Sequence, residues 1–336
     1  MLSTALSIAG PRRRKFTWLT ASLLWFGATL HAATGLDAAG QLSPVAPAPK
    51  DGFSFVQLDN GVQLRVGNVT KNVLFYAPGI VRVNANLGRT HTKQPSLAVV
   101  AQPAATRFNV EETPALLTLR SEKLRVTADK KTGALTFLTV DGTELSREAA
   151  DNPNQIKEVT ISGEPTYETS QTFTLTPDES LYGLGQYNRP YMDYRGQDVL
   201  LVQTNIGIVV PFLVSTKHYG ILWDIYSKMT FKDGANGATL WAESAPAGID
   251  YYFVAGDTMD GVIAGYRELT GAAPMFPKAA FGLFMSKERY ATQDRLIEVV
   301  RNFRREGFPL DYIVQDWQYW GGDKDGTWSG MIWDKQ

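Results

Sequence analysis

Two carboxylates close to one another, Asp311 and Asp316, stand in the segment FPLDYIVQDWQYWGG, 308–322, and a pair of carboxylates could share acid–base work. Strand alternation decides against that pairing. Successive side chains of a strand point to opposite faces and an odd number of positions separates the two, so only one can look into a given site. Asp316 shares a face with Tyr312 and Val314 and is followed by Trp317, Gln318, Tyr319 and Trp320. Two acceptor oxygens can take hydrogen bonds from adjacent hydroxyls while rings cover an apolar face, which suits a neutral polyol. A strand-end Asp that caps the following turn is the other reading, and the residues alone leave both open.

A second cluster, YGLGQYNRPYMDYRGQ at 182–197, invites comparison with a dinucleotide fingerprint through Gly183 and Gly185. The third glycine position is Asn188 and no βαβ unit surrounds it, so a pyrophosphate cradle is not supported. The glycines are expected to allow a tight turn. Tyr187, Arg189, Tyr191 and Tyr194 then make a polar aromatic loop, which either leans over a sugar site or packs as a Tyr-rich surface loop. His91 and His218 are too far apart and too lightly accompanied to suggest a metal, and His218 in STKHYG reads as a solvated turn residue. With no cysteine, neither a disulfide nor a thiolate metal site can form, and no cofactor or metal is expected. Thirty-three basic against 34 acidic residues leave a net charge of -1, so no global field attracts nucleic acid or an anionic membrane.

Asp316 must be positioned by the elements before it. The strand FGLFM, a helix QDRLIEVVRNFRRE and the strand LDYIVQDW read as one parallel, right-handed βαβ unit. Leu296, Val299, Val300 and Phe303 form the helix's apolar stripe, Thr292 can cap it, and Gly307 stops it before Pro309. Asp316 then lies at the carboxyl end of a strand, where α/β barrels gather their chemistry. Upstream, residues 51–274 are dominated by short alternating runs with turns at Asn60-Gly61, Pro78-Gly79, Gly133 and Asp141-Gly142. Further strand-length segments (YETSQTFTL, VLLVQTN, GIVVPFLVST, YGILWDIY, KMTF, IDYYFVAG) make an antiparallel sandwich the economical packing. DTMDGVIAGYRELTG closes this region as a helix, with Val262, Ile263, Tyr266 and Leu269 on its apolar stripe, Asp257 and Thr258 opening it and Gly271 ending it. The connector APMFPK sets a domain boundary near residue 275.

The first 33 residues have the layout of a signal peptide: a basic start, a short apolar core and Ala32-Ala33. The apolar run from Phe16 to Leu30 is below the roughly 20 residues a spanning helix needs, so cleavage near Ala33 and export to the periplasm or beyond are expected. Arg13-Arg14 leaves a twin-arginine route open. Residues 34–50, rich in Ala and Pro, read as a linker.

YGLGQ, DYYFVAGDTMDGVIAGYRELTG, the proline connector into GLFMSKERY, and EGFPLDYIVQDWQYWG together resemble the N-terminal half of glycoside hydrolase family 31. SKERY and QDWQYW are similar to its bacterial α-xylosidase branch. The resemblance implies a multidomain β plus α/β fold: a galactose-mutarotase-like antiparallel β-sandwich over 51–274, then the first βαβ portion of a (β/α)8 barrel over 275–336. It implies a retaining α-glycosidase with an Asp nucleophile on the fourth barrel strand and a second Asp as acid and base. Those strands lie past the end of this sequence, so no catalytic residue and no independent turnover are expected of it. Asp316 takes the substrate-binding role, with Trp317, Gln318 and Tyr319 lining the pocket. The implied substrate is an α-xylosylated oligosaccharide of xyloglucan; an α-glucosidase, an α-transglucosylase and a noncatalytic carbohydrate-binding sandwich remain as alternatives. A mutarotase would need a His and acid pair, which His91 and His218 do not offer.

Overall fold

A computed structural model describes residues 52–91, 95–151 and 153–317. The expected signal peptide and linker, and with them Gln318 and Tyr319, lie outside the described residues.

The chain opens with an antiparallel meander of β1 (Phe53–Leu58), β2 (Gly61–Val66), β3 (Val69–Ala77) and β4 (Ile80–Asn86). A second meander follows: β5 (Asn109–Glu112), β6 (Leu116–Arg120), β7 (Arg125–Asp129), β8 (Leu135–Leu138) and β9 (Glu144–Glu148). Then come β10 (Asn154–Ile161), β11 (Glu164–Thr174), β12 (Leu181–Tyr187), β13 (Asp198–Leu201), β14 (Gly207–Ser215), β15 (Tyr219–Trp223), β16 (Met229–Gly234), β17 (Gly237–Ala242) and β18 (Ile249–Ala255). They assemble as an eight-stranded sheet, β1-β2-β3-β4-β18-β15-β14-β12, and a ten-stranded sheet, β13-β16-β17-β11-β9-β8-β7-β6-β5, in which β10 also pairs with β11. The turns at Pro78-Gly79, Gly133 and Asp141-Gly142 fall where the sequence puts them. The first hairpin turns on Asp59 and Asn60, one residue early, because Gly61 already pairs with Leu58.

Alternation along the strands gives each sheet one apolar inner face. Val73 and Phe75 of β3 and Val81 and Val83 of β4 join Leu117, Leu119, Val126 and Phe137 of the other sheet in one core, every one fully buried. A column of rings runs through it: Phe137 stacks on Phe253 at 3.9 Å, and Phe253 stacks on Tyr219 at 5.3 Å. Each ring buried this way contributes on the order of 1.5–3 kcal/mol. The outer face of the eight-stranded sheet is covered by α1 (Met259–Thr270), whose Val262 and Leu269 pack on Phe212, Tyr252 and Val254. Thr258 caps that helix by accepting the Gly261 N–H at 3.1 Å. Ile263, expected on the buried stripe, is 46% exposed; it sits one residue round from Val262, beyond the strip that meets the sheet.

The YGLGQ segment corrects another expectation. Its glycines lie inside β12 at a bulge rather than in a turn, with φ of 106° at Gly183 and 113° at Gly185 around Leu184 at 61°. A β-carbon at Gly185 would stand 1.9 Å from the Ile208 carbonyl oxygen, and one at Gly183 would stand 2.3 Å from that of Phe212. Only glycine allows β12 to approach β14 so closely.

After a short 3-10 turn, Lys278–Phe281, the strand–helix–strand unit forms as expected: β19 (Leu283–Lys287), α2 (Gln293–Arg305) and β20 (Leu310–Gln315), with β19 and β20 parallel. Thr292 caps α2 through the Arg295 N–H, and the Phe308 N–H to Phe303 carbonyl bond closes its far end around Gly307.

Candidate functional site

Of the expected site residues, Asp316 and Trp317 stand at the carboxyl end of β20, and Gln318 and Tyr319 lie outside the described residues. The Asp316 N–H donates to the Lys287 carbonyl at 3.2 Å, which carries the ladder one residue past β20. Its carboxylate is exposed and accepts no hydrogen bond among the described residues, and the turn it could cap lies outside them. Trp317 follows, 41% exposed. An exposed carboxylate next to an indole is a pairing that can take a pair of sugar hydroxyls and cover a pyranose face.

Asp311 is employed differently. Its Oδ2 accepts the Leu283 N–H at 3.1 Å and stands 1.8 Å from where a β-carbon on residue 282 would be, so Gly282 is the residue that lets the strands dock. The Tyr312 ring stacks on Phe284 at 4.3 Å across the two strands.

Two residues that the sequence reading did not single out complete this end of the unit. Gln315 Oε1 accepts the Tyr290 N–H at 2.8 Å, and Tyr290 is buried with its hydroxyl unpartnered among the described residues. The available signal was a lone amide side chain at the last position of an otherwise apolar strand end.

The aromatic loop after β12 is engaged with its own rings and with the sandwich. The Arg189 guanidinium lies over Tyr187 at 5.2 Å and Tyr191 at 5.9 Å, and donates to the Tyr191 hydroxyl at 2.7 Å. Tyr194 is buried in the sandwich core. Burial, with Tyr194 adding and Arg189 opposing, pushes the Tyr187 phenol up to about 12. These are the features of the packing alternative.

Inside the sandwich, Lys71 Nζ donates to Glu148 Oε2 at 2.7 Å and to the Gly133 carbonyl at 2.8 Å. Glu148 also accepts the Tyr251 hydroxyl at 2.8 Å and the Leu135 N–H at 2.9 Å. Burial pushes the Lys71 ammonium below its ordinary value against the pull of Glu148, and burial with Glu148 drives the Tyr251 phenol up. A cleft of about 280 Å³ opens beside Lys71 and Thr132, but the amine is already held on two sides. His218 sits in the expected turn, and His91 packs on the Tyr167 ring at 4.7 Å. No group of three or more His, Cys, Asp or Glu able to hold a metal occurs among the described residues, and none of their helices is long and apolar enough to cross a membrane.

Comparison with known proteins agrees with this layout. The family model for the glycosyl hydrolase 31 N-terminal galactose mutarotase-like domain matches residues 71–232, and that for the family 31 TIM-barrel domain matches residues 273–336. The chain is similar to an α-xylosidase of Saccharolobus solfataricus, 38% identical over 77% of this chain and 36% of the relative. It is also similar to α-glucosidase 2 of Bacillus thermoamyloliquefaciens, 28% identical over 74% of this chain and 32% of the relative. Among solved structures, a family 31 α-xylosidase from a soil metagenome, complexed with xylose, superposes with a TM-score of 0.68 at 27% identity, over 80% of this chain and 42% of that one. The chain thus spans 36% and 32% of the two curated relatives' lengths. With a mutarotase-like sandwich and the opening strands of a TIM barrel both matched to models of one family, the chain belongs to glycoside hydrolase family 31.

Proposed function

We propose that this chain serves a retaining α-glycosidase, an α-xylosidase acting on α-xylosylated oligosaccharides of xyloglucan, and that its own part is to hold the sugar through Asp316. The observation that carries the reading is the exposed Asp316 carboxylate, which accepts no hydrogen bond among the described residues and precedes Trp317 at the carboxyl end of a parallel barrel-type strand. The 38% identity to an α-xylosidase supports the choice of sugar. In the retaining scheme one carboxylate attacks the anomeric carbon while a second protonates the leaving oxygen and then activates water, the two standing about 5–5.5 Å apart. Asp311, tied to Leu283, takes neither role, and Asp316 binds without cleaving. The leader-like first 33 residues support export to the periplasm or beyond.

Titration with methyl α-D-xyloside, followed by tryptophan emission, tests the assignment. A saturable response is expected from the chain and is lost in Asp316→Ala; an unchanged response in that variant would overturn the reading. The same chain is expected to release no pentose from an aryl α-xyloside. A second reading, an α-glucosidase or α-transglucosylase, draws on the similarity to α-glucosidase 2. Methyl α-D-glucoside, which adds a hydroxymethyl group, separates the two, since tighter binding of the glucoside would favour the second.

A further inference from the structure

The loop from β19 into α2 is fastened to β20 at two consecutive residues. One tie is the Asp316 N–H on the Lys287 carbonyl, the other the Tyr290 N–H on Gln315 Oε1. Between the two anchor points on the loop side run only Glu288 and Arg289, so a short arch is held against the residue assigned to grip the sugar.

The ties differ in kind. The first is backbone to backbone, and any side chain at position 316 leaves it intact. The second needs an acceptor oxygen carried at the reach of a glutamine, on the strand that otherwise ends in Ile313 and Val314. A neutral amide accepts that N–H without setting a second negative charge beside Asp316. What it holds is the arch's anchor: from residue 271 to residue 317, Tyr290 and Leu310 alone are buried. The Tyr290 hydroxyl has no partner among the described residues, so ring burial and the N–H tie to Gln315 hold Tyr290 itself in place.

We infer that Gln315 is a positioning residue of the sugar site, holding the loop after β19 as a preformed rim beside Asp316. The inference rests on the sugar-binding reading of Asp316. A rim that is already ordered spares the ligand the entropic cost of ordering it on binding. Removing the acceptor leaves the Tyr290 N–H without its bond and loosens the arch at its Tyr290 end, which weakens sugar binding about fivefold to tenfold.

The test uses the full chain and three variants: Gln315→Leu, which removes the acceptor at similar volume; Gln315→Glu, which keeps one; and Asp316→Ala. Methyl α-D-xyloside affinity and deuterium uptake over residues 288–292 are read for each, with uptake in β18 as the control for folding. Gln315→Leu is expected to lose fivefold to tenfold in affinity with faster uptake confined to 288–292, and Gln315→Glu to restore the protection and much of the affinity. Asp316→Ala is expected to lose saturable binding with uptake at 288–292 unchanged. Normal affinity or normal uptake in Gln315→Leu removes the positioning role while leaving the sugar reading in place. Full binding by Asp316→Ala, or no saturable binding by the wild-type chain, removes the sugar reading and this inference with it.

Discussion

β18 and β20 are apolar runs of similar length that end up in opposite surroundings. β18 is buried at six consecutive positions, Ile249 to Val254, whereas β20 buries Leu310 alone. β18 has β4 and β15 beside it, Phe137 stacked on its inner side and α1 over its outer side. Among the described residues β20 has one strand neighbour, β19, and a helix whose stripe of Leu296, Val299, Val300 and Phe303 is only half-buried. Apolar sequence sets what a strand can bury; its neighbours decide what it does bury. Phe281, Leu283, Phe284 and Phe308 accordingly remain exposed. A site carried on such a unit depends on individual ties, Asp311 to Leu283 and Gln315 to Tyr290, where the sandwich relies on mass burial.

Hydrogen exchange gives the largest expected contrast. Amides of β18 should open only with global unfolding, on the order of 5–15 kcal/mol for an ordinary domain, while those of β19 and β20 should open within a few kcal/mol of zero. Protection of 283–315 equal to that of β18 in a monomer would end the comparison.

A smaller effect separates the ion pairs of the two regions. Lys71→Met strands the Glu148 carboxylate in the core and should cost about 3–5 kcal/mol in urea unfolding. The exposed Arg295–Glu298 pair on α2 should contribute only about 0.3–0.5 kcal/mol, so Arg295→Ala should leave the midpoint almost where it was. Equal losses from the two variants would show that burial is not what distinguishes the regions.

Legibility in the sequence follows the same division. The turns marked by Pro78-Gly79 and Gly133, the Thr258 and Thr292 caps and the βαβ order were readable because each is a local device with its own residue signature. β10, NQIKEVTI, escaped because its one strand partner among the described residues is β11 and its polar, partly exposed side chains carry a weak apolar alternation. The β12 bulge escaped because glycines mark permission for unusual backbone without saying whether a turn or a strand uses it. The Lys71–Glu148 pair joins residues 77 positions apart, and nothing local to either announces the other. At the site, Asp316 stood out by charge among rings, while Gln315 acquires meaning only once the loop carrying Tyr290 is folded against it.

Acid offers the smallest and most local probe of the sandwich. Asp193 Oδ1 accepts the N–H groups of Leu181 and Arg195, each at 3.0 Å, pinning the aromatic loop to the start of β12. Partial burial works to raise its pKa, but these bonds and the Arg195 charge hold it below the ordinary 3.8. Asp129, accepting N–H groups of Lys131 and Thr132 in the β7–β8 turn, is depressed in the same direction against its own partial burial. Between the depressed folded value and the ordinary one the unfolded chain binds more protons, so stability rises with pH across that window. The contribution is fully present above the ordinary value and is lost as pH falls through the folded one. Thermal midpoints of the chain should therefore fall as pH drops below about 4. The double variant Asp129→Asn, Asp193→Asn keeps acceptor oxygens and removes both titrations, so its acid limb should be shallower while its midpoint near neutrality changes little. An acid limb as steep as that of the wild-type chain would mean that other groups govern the sandwich's response, and that these two turns are held by their backbone alone.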